Sequence, residues 1–432
     1  MSRATCATSS SRVTSRSDLP RVAAWPWLVV ASAGKPASSS RLAEPASKAL
    51  GMTKRSLSWS SAKVMPASCP PPPTLPLGND GCMVALLTPL EAPVEPTEAL
   101  RRIAFLLERT RAGTYRVEAF RNAVKALKEI GDDELDQHVE AGTLQEIPGI
   151  GKSTSAVVEE AAQGELPAYL ASLQTQSGGP LVSGGADLYA ALRGDCHLHS
   201  DWSDGGSPID EMVLTGIELG HEWMVLTDHS PQLRVANGLT AERLTKQIAI
   251  VDAINRGVGQ AFRLFKGIEV DILDDGSLDQ TDAMLGKLDF VTASVHSKLK
   301  MNSDPMTKRM VNAVLNPRVN VLGHCTGRLV EGSRGTRPES DFDARAVFEA
   351  CLEGNTAVEI NSRPERCDPP DELIELALEI GCLFSIDSDA HAPGQLDMKA
   401  YGCERAEQLG VPWDRIITTW DAETLHAWAN PV

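Results

Sequence analysis

No CxxC pair stands among the nine cysteines of this 432-residue chain, and they form no even framework of the kind that staples small secreted domains. A disulfide scaffold is thereby set aside, and the cysteines read as reduced thiols of a cytoplasmic protein. No apolar run reaches the ~18–20 residues that a membrane span needs, so no membrane partner is expected. Acid is almost missing from residues 1–82, where three Asp/Glu face ten Lys/Arg; the remaining 350 residues carry −24, and the whole chain −17. A body this acidic argues against a broad nucleic-acid-coating surface. It leaves room for contact at one strand end, where bound cations would locally reverse the field.

The acid-poor start is rich in Ser, Ala and Pro and ends in PPPPTLPLG. Such a composition cannot bury a core. The expectation for residues 1–94 is a disordered tail or an over-extended reading frame, with Met83 a candidate start. A transit peptide, or a signal segment in VAAWPWLVVASA interrupted by Pro26, is the alternative. From Thr97 the pattern turns helical: Leu100, Ile103, Ala104 and Leu107 share one helix face. A second helix is predicted from Tyr115 to near Gly131, a third around Asp133–Glu140, and a fourth after IPGIGK, so that residues 95–172 form a small all-α domain. Residues 173–190 read as a Gly/Ser-rich linker. Over 191–432 strand and helix alternate. Predicted strands are Asp195–His199, Trp223–His229, Arg263–Val270, Phe290–His296, Asn320–His324, Ala357–Asn361 and Leu383–Asp387. Seven β/α units predict an α/β fold, a seven-stranded relative of the TIM barrel. An open doubly wound sheet is the runner-up; it would not gather residues from every strand.

Six of the nine histidines (His197, His199, His229, His296, His324, His391) stand where a predicted strand runs out. Core filler has no reason to favour strand ends. Metal ligands do, because the strand tips of a barrel converge on one mouth. Asp204, Glu269 and Asp389 fall in the same short segments. Taken singly the motifs are bland. Asp204 in Ser203-Asp204-Gly205-Gly206 is an ordinary turn aspartate, and Asp228-His229 is an Asp–His pair fixing a tautomer. His197 and His199 alternate onto one side of a strand, and Glu269 ends an apolar strand, a costly place for an unpaired charge. Nine N/O ligands are too many for one tetrahedral ion and suffice for two or three, some bridged by a carboxylate.

The motifs GDCHLHSDWSDGG, TDHS, GIEVDI, SVHS, GHCTG, EINSRPERCDPP and SDAH resemble those of the PHP (polymerase and histidinol phosphatase) superfamily, closest to the PHP domain of bacterial family X DNA polymerases. The resemblance implies a trinuclear zinc or manganese site. In it His197, His199, Glu269 and Asp389 hold one ion, Glu269 with His296 and His324 a second, and Asp204, His229 and His391 a third. Residues 97–170 resemble the N-terminal DNA-binding domain of the same polymerases, with IPGIGKSTSA as its helix-hairpin-helix. Such a hairpin offers the amides of Gly149 and Gly151, with Lys152 beside them, to a DNA phosphate; the bland alternative is a tight interhelical turn. Only about 25 residues separate Tyr169 from Arg193, too few for a polymerase palm, so no polymerase activity is expected. Ser155–Glu159 offers no lysine for Schiff-base chemistry, so no lyase activity is expected either.

The reaction expected is phosphoester hydrolysis, with a metal-bound hydroxide near Glu269 as nucleophile. Asp228 is a candidate to orient that water or His229. Arg328, Arg334, Arg337 and Arg363 are candidate phosphate readers, with Arg366 favoured. The expected substrate is a DNA 3′ end, for an exonuclease or a 3′-phosphatase. The alternatives are a small phosphorylated metabolite, as for a histidinol phosphatase, or a DNA-end binding module without catalysis. An amidohydrolase also begins with H-x-H on a barrel, but would want a bridging lysine where this chain has Glu269. Oligomeric state is open.

Overall fold

A computed structural model describes residues 86–332 and 335–431, so the expectations for residues 1–85 and for Arg334 lie outside the described residues. Residues 86–94, expected to belong to the tail, are instead held on the helical part, with Leu86 and Val94 buried and the Leu86 and Thr88 carbonyls accepting from Arg102. The helical part runs through α1 (Pro96–Arg109), α2 (Thr114–Ile130), α3 (Asp132–Ala141), α4 (Lys152–Ala162), α5 (Ala168–Ser177) and α6 (Ala186–Ala191). Leu100, Ile103, Ala104 and Leu107 of α1 are buried, as their spacing predicts. The opposite, charged face of α1 is buried too, because it is the face that docks on the barrel. Arg109 pairs with Asp397, and Arg101 and Arg121 of this part join Lys128 around Glu211. One apolar cluster runs from α1 through Ile209 and Met212 to Leu198, Leu226 and Leu396. Amphipathic periodicity shows the apolar stripe only; a charged stripe satisfied by ion pairs looks like a solvated one.

The stretch expected as a linker is likewise held. Residues 173–177 finish α5, α6 follows, the Arg109 guanidinium donates to the Ser177 and Gly179 carbonyls, and the Gly185 amide donates to Glu407.

The barrel follows, with β1 (Trp223–Leu226), β2 (Arg263–Lys266), β3 (Glu269–Asp271), β4 (Thr292–Ser294), β5 (Val321–Leu322), β6 (Ala357–Asn361) and β7 (Phe384–Asp387). α7 (Ile209–Glu218) precedes β1, and the helices between and after the strands are α8 (Ala241–Val258), α9 (Asp282–Leu285), α10 (Ser303–Val314), α11 (Ala344–Gly354), α12 (Asp371–Ile380), α13 (Lys399–Gln408) and α14 (Ala422–Ala429). All strand pairs are parallel: β1 with β2, then β3 through β7 in order. Single bridges close the ring, His229 to Glu269 and Leu198 to both Leu226 and Ala390. The result is the TIM-like α/β barrel of seven segments expected from sequence. Among the described residues no helix is long and apolar enough to cross a membrane.

Two strands differ from prediction. Asp195–His199 contributes one bridging residue, Leu198, because the neighbouring polar side chains take the backbone amides instead: Asp387 accepts from Cys196 N, Asp195 from His197 N and Thr227 from Leu198 N. Arg263–Val270 breaks at Gly267 into β2 and β3. A Cβ on Gly267 would lie 2.5 Å from Val225 Cγ1 and 2.8 Å from the Leu226 carbonyl. Only glycine admits this approach of adjacent strands. Strands also stop earlier than the hydropathy suggests, so most of the candidate ligands sit just past the last paired residue, where the backbone is free to turn. At Asp389 it turns to φ +50°, the kind of sparsely populated conformation that a functional site retains.

Candidate metal centre

Glu269 at the head of β3 is buried, and one carboxylate meets five imidazoles. Its Oε1 lies 3.0 Å from His324 Nε2 and 3.2 Å from His296 Nε2. Its Oε2 lies 2.8 Å from His229 Nδ1, 3.3 Å from His197 Nε2 and 3.6 Å from His199 Nε2. Around it four groups of ligand atoms lie within 4.8 Å of one another: His197/Glu269/His324, His229/Glu269/His296, His197/His199/Asp389, and His199/Asp204/His229/His391. All nine ligand-type residues singled out in the sequence thus converge on one mouth. The grouping differs in detail from the resemblance, since His296 falls with His229 and His199 reaches the outer group with Asp204. The decisive feature is what these atoms lack. His197 Nε2, both nitrogens of His199, His229 Nδ1, His324 Nδ1 and Glu269 Oε2 are buried without an aligned hydrogen bond among the described residues. Orphaned buried polar atoms are costly. Those of them that converge, His197 Nε2, His199 Nε2, His229 Nδ1 and Glu269 Oε2, make the donor set of a divalent cation.

Residues that the sequence did not flag hold these ligands. Glu359 accepts from His197 Nδ1 at 2.6 Å, and Asp271 accepts from His296 Nδ1. Each fixes which ring nitrogen faces the centre. The Asp389 carbonyl lies 2.9 Å from His391 Nδ1, and Arg363 Nη1 lies 2.9 Å from the same nitrogen. A period-two count would have found the carboxylates: Asp271 stands two residues from Glu269, and Glu359 shares its strand face with Asn361.

Arg366 donates from Nε to Asp389 Oδ2 at 3.0 Å, so it backs a ligand rather than standing free in the mouth. Asp228 is not beside the ligand atoms. Its oxygens accept from the Ser200 amide, Ser200 Oγ, Ser203 Oγ and Gln247 Nε2, which leaves it to pin the 200–203 turn that carries Asp204. Arg328 is spent on the Arg366 and Cys367 carbonyls and on Glu339, and Arg337 donates to the Gly327 carbonyl.

The electrostatics follow from burial set against one carboxylate. Burial opposes charge on Glu269, but His296, His197 and His229 around it hold it well below the usual carboxylate range. Burial likewise disfavours a charged His229, yet Glu269 and Asp204 push it up to about 10. His197 and His296 are raised against burial chiefly by Glu269. Burial, with His391 and His229 nearby, drives His199 down to about 3. At neutral pH the ion-free centre therefore stores a proton on His229. A metal ligand must be deprotonated. Zinc added to ion-free protein at pH 7 in weak buffer should release protons, and the yield should fall as pH is raised towards 10 and His229 starts neutral. Zinc uptake with no proton release would show that the imidazoles were neutral beforehand.

The hairpin lies between the short turn Leu144–Glu146 and α4. Gly149 has φ +97°, and a Cβ there would lie 3.3 Å from the Asn122 carbonyl, so glycine lets the turn press on α2. Gly151 caps α4, and its amide is already taken by Thr154 Oγ1 at 2.8 Å. The amides left to an anion are those of the first turn, at exposed Lys152 and Ser153, rather than that of Gly151.

Residues 94–165 match the helix-hairpin-helix domain model, and residues 195–363 match the PHP domain model. Residues 195–363 are thus a PHP domain, and residues 94–165 a helix-hairpin-helix domain. The barrel is a phosphoester hydrolase domain of the PHP type, with Asp389 and His391 lying beyond the matched stretch. The chain is 41% identical over 217 residues to the Bacillus subtilis DNA polymerase/3′-5′ exonuclease PolX, covering 50% of this chain and 37% of that protein. A protein of Caldicellulosiruptor saccharolyticus named "Probable phosphatase" is 27% identical over 209 residues, covering 46% of this chain and 80% of that one. A histidinol phosphate phosphatase of Lactococcus lactis, solved with zinc, L-histidinol and phosphate, is 17% identical with a TM-score of 0.34, covering 50% of this chain and 92% of that one.

Proposed function

We propose that this chain is a metal-dependent phosphoesterase acting on DNA 3′ ends, as a 3′-5′ exonuclease or a 3′-phosphatase in DNA repair, without polymerase activity. The observation that carries the chemistry is Glu269 among five imidazoles, four of which have orphaned nitrogens. Two or three zinc or manganese ions would be held by His197, His199, Glu269 and Asp389, by Glu269 with His296 and His324, and by Asp204, His229 and His391. Bound there, such ions supply deprotonated water at neutral pH and a clamp on phosphate oxygens. The chain's own part is to fix these ligands: Glu359 and Asp271 orient imidazoles, Arg366 steadies Asp389, and Asp228 holds the turn beneath Asp204. The DNA preference is supported by a hairpin domain docked on the same barrel. Between Tyr169 and Arg193 the fold has room only for the rest of α5 and for α6.

The acidic body favours a second reading, a small-molecule phosphomonoesterase of the histidinol-phosphatase type; a DNA-end binding module is the non-enzymatic third. Metal-loaded protein assayed on a 3′-labelled oligonucleotide beside histidinol phosphate and p-nitrophenyl phosphate separates them. Turnover of histidinol phosphate with an untouched oligonucleotide would defeat the DNA proposal, and no turnover of any substrate would leave only the binding module.

The hairpin can be tested apart from the chemistry. No atom lies within 4 Å of where a Gly151 Cβ would stand, so a larger side chain fits there without disturbing the fold. Gly151→Leu, which would set a bulky side chain beside the Lys152 and Ser153 amides and obstruct a phosphate there, should weaken oligonucleotide binding at low salt by about tenfold, the scale of losing one charge-assisted phosphate contact. Hydrolysis of p-nitrophenyl phosphate should not change. Unaltered DNA affinity would move the DNA contact elsewhere.

A further inference from the structure

We infer that α1 of the helical domain clamps the segment that carries His391, which makes this domain part of the mounting of the outer metal position as well as a DNA contact. The inference rests on the metal-centre proposal above. His391 is followed by a short 3-10 turn, Pro393–Met398, that lies against α1. The Gly394 amide donates to Glu108 Oε2 at 2.7 Å. A Cβ on Gly394 would lie 2.3 Å from the Phe105 carbonyl and 2.6 Å from Glu108 Cβ, so no larger residue lets the turn sit this close. Three residues on, Asp397 takes the Arg109 Nε on one oxygen and the Tyr189 hydroxyl on the other, and Arg109 and Asp397 are almost wholly buried. Between these two anchors Leu396 is buried in the apolar cluster shared with α1, and Gln395 Oε1 accepts the His391 amide at 2.8 Å.

The clamp matters most for the outer group. Its members Asp204 and His391 have side chains 35% and 23% exposed, whereas His197, Glu269 and His324 are enclosed by the barrel. Enclosed ligands are fixed by packing on all sides. An exposed ligand on a loop depends on whatever holds the loop. For His391 that includes α1, through Glu108 and Arg109, beside Arg363 at its ring and the Gly206 amide at its carbonyl.

The test uses the full chain in four forms: wild type, Gly394→Ala, Glu108→Ala, and Lys128→Ala, which cuts the same interface at Glu211 away from this turn. Hydrogen exchange of ion-free protein should be about tenfold faster or more at residues 391–398 in the first two variants, the scale of losing a buried charge-assisted bond. Lys128→Ala should exchange like wild type there. In zinc or manganese titrations the last equivalent to bind should weaken about tenfold in Gly394→Ala and Glu108→Ala, as for other residues that support ligands, while earlier equivalents hold. Unchanged exchange at 391–398 in both clamp variants overturns the inference. So does an equal effect from Lys128→Ala, which would reduce the interface to general docking. If wild type binds no metal, the metal-centre proposal falls, and the exchange measurement still decides the clamp.

Discussion

Glu269→Ala should strip more than one equivalent of metal from each chain and lower phosphoesterase kcat at least ~1000-fold, the scale of losing several kcal/mol of metal-based charge stabilisation. The argument is geometric. Both carboxylate oxygens are engaged, Oε1 with His296 and His324 and Oε2 with His197, His199 and His229. One residue therefore belongs to two of the four ligand groups and links the inner set to the outer. Removing a terminal ligand costs one ion, but removing a bridge costs the spacing of two. Glu269→Gln keeps the volume and loses the charge that draws the imidazoles together; it should fail nearly as badly. Elemental analysis and turnover are measured together with the melting of ion-free protein. A variant that takes up no metal yet melts within a few degrees of ion-free wild type isolates the ligand role from folding. Full metal content with normal turnover in either variant would defeat the bridging role.

What made this centre legible was chain position, not composition. His296, His324 and Asp389 follow short apolar runs, and a barrel must bring such ends together. The supports were harder to see because their partners are far off in sequence. Glu359 reads as an ordinary strand carboxylate until His197, 162 residues away, is found against it. Asp228 looks catalytic beside His229 and proves to be filled by Ser200, Ser203 and Gln247. Arg109 looks like a solvated helix end, and pairs with Asp397 across 288 residues. Periodicity reports which face is apolar; it cannot report which charged group has found a buried partner. The break at Gly267 was hidden for a related reason, since a close strand approach leaves only a glycine as its trace.

The outer position separates chemistry from scaffold. One oxygen of Asp204, Oδ1, stands 3.4 Å from both His229 Nε2 and His391 Nε2, although these histidines come from opposite ends of the barrel sequence. A group that merely braced the barrel would be enclosed, and each ligand removed would lower the melting temperature. This one is partly open, so removal should cost little stability. Asp204→Asn and His391→Ala should each lower kcat at least ~100-fold, the loss expected when one preorganised source of transition-state stabilisation disappears. Asp204→Asn keeps the shape and the turn pinned by Asp228, so its loss would come from charge alone. On the proposal that both residues serve one ion, the double variant should be hardly slower than either single, as for other catalytic units that act together. Losses that multiplied to ~10,000-fold would instead assign the two residues separate tasks. Near-wild-type turnover in either single variant would show the outer position to be dispensable, and would leave the inner groups around Glu269 to carry the reaction with two ions.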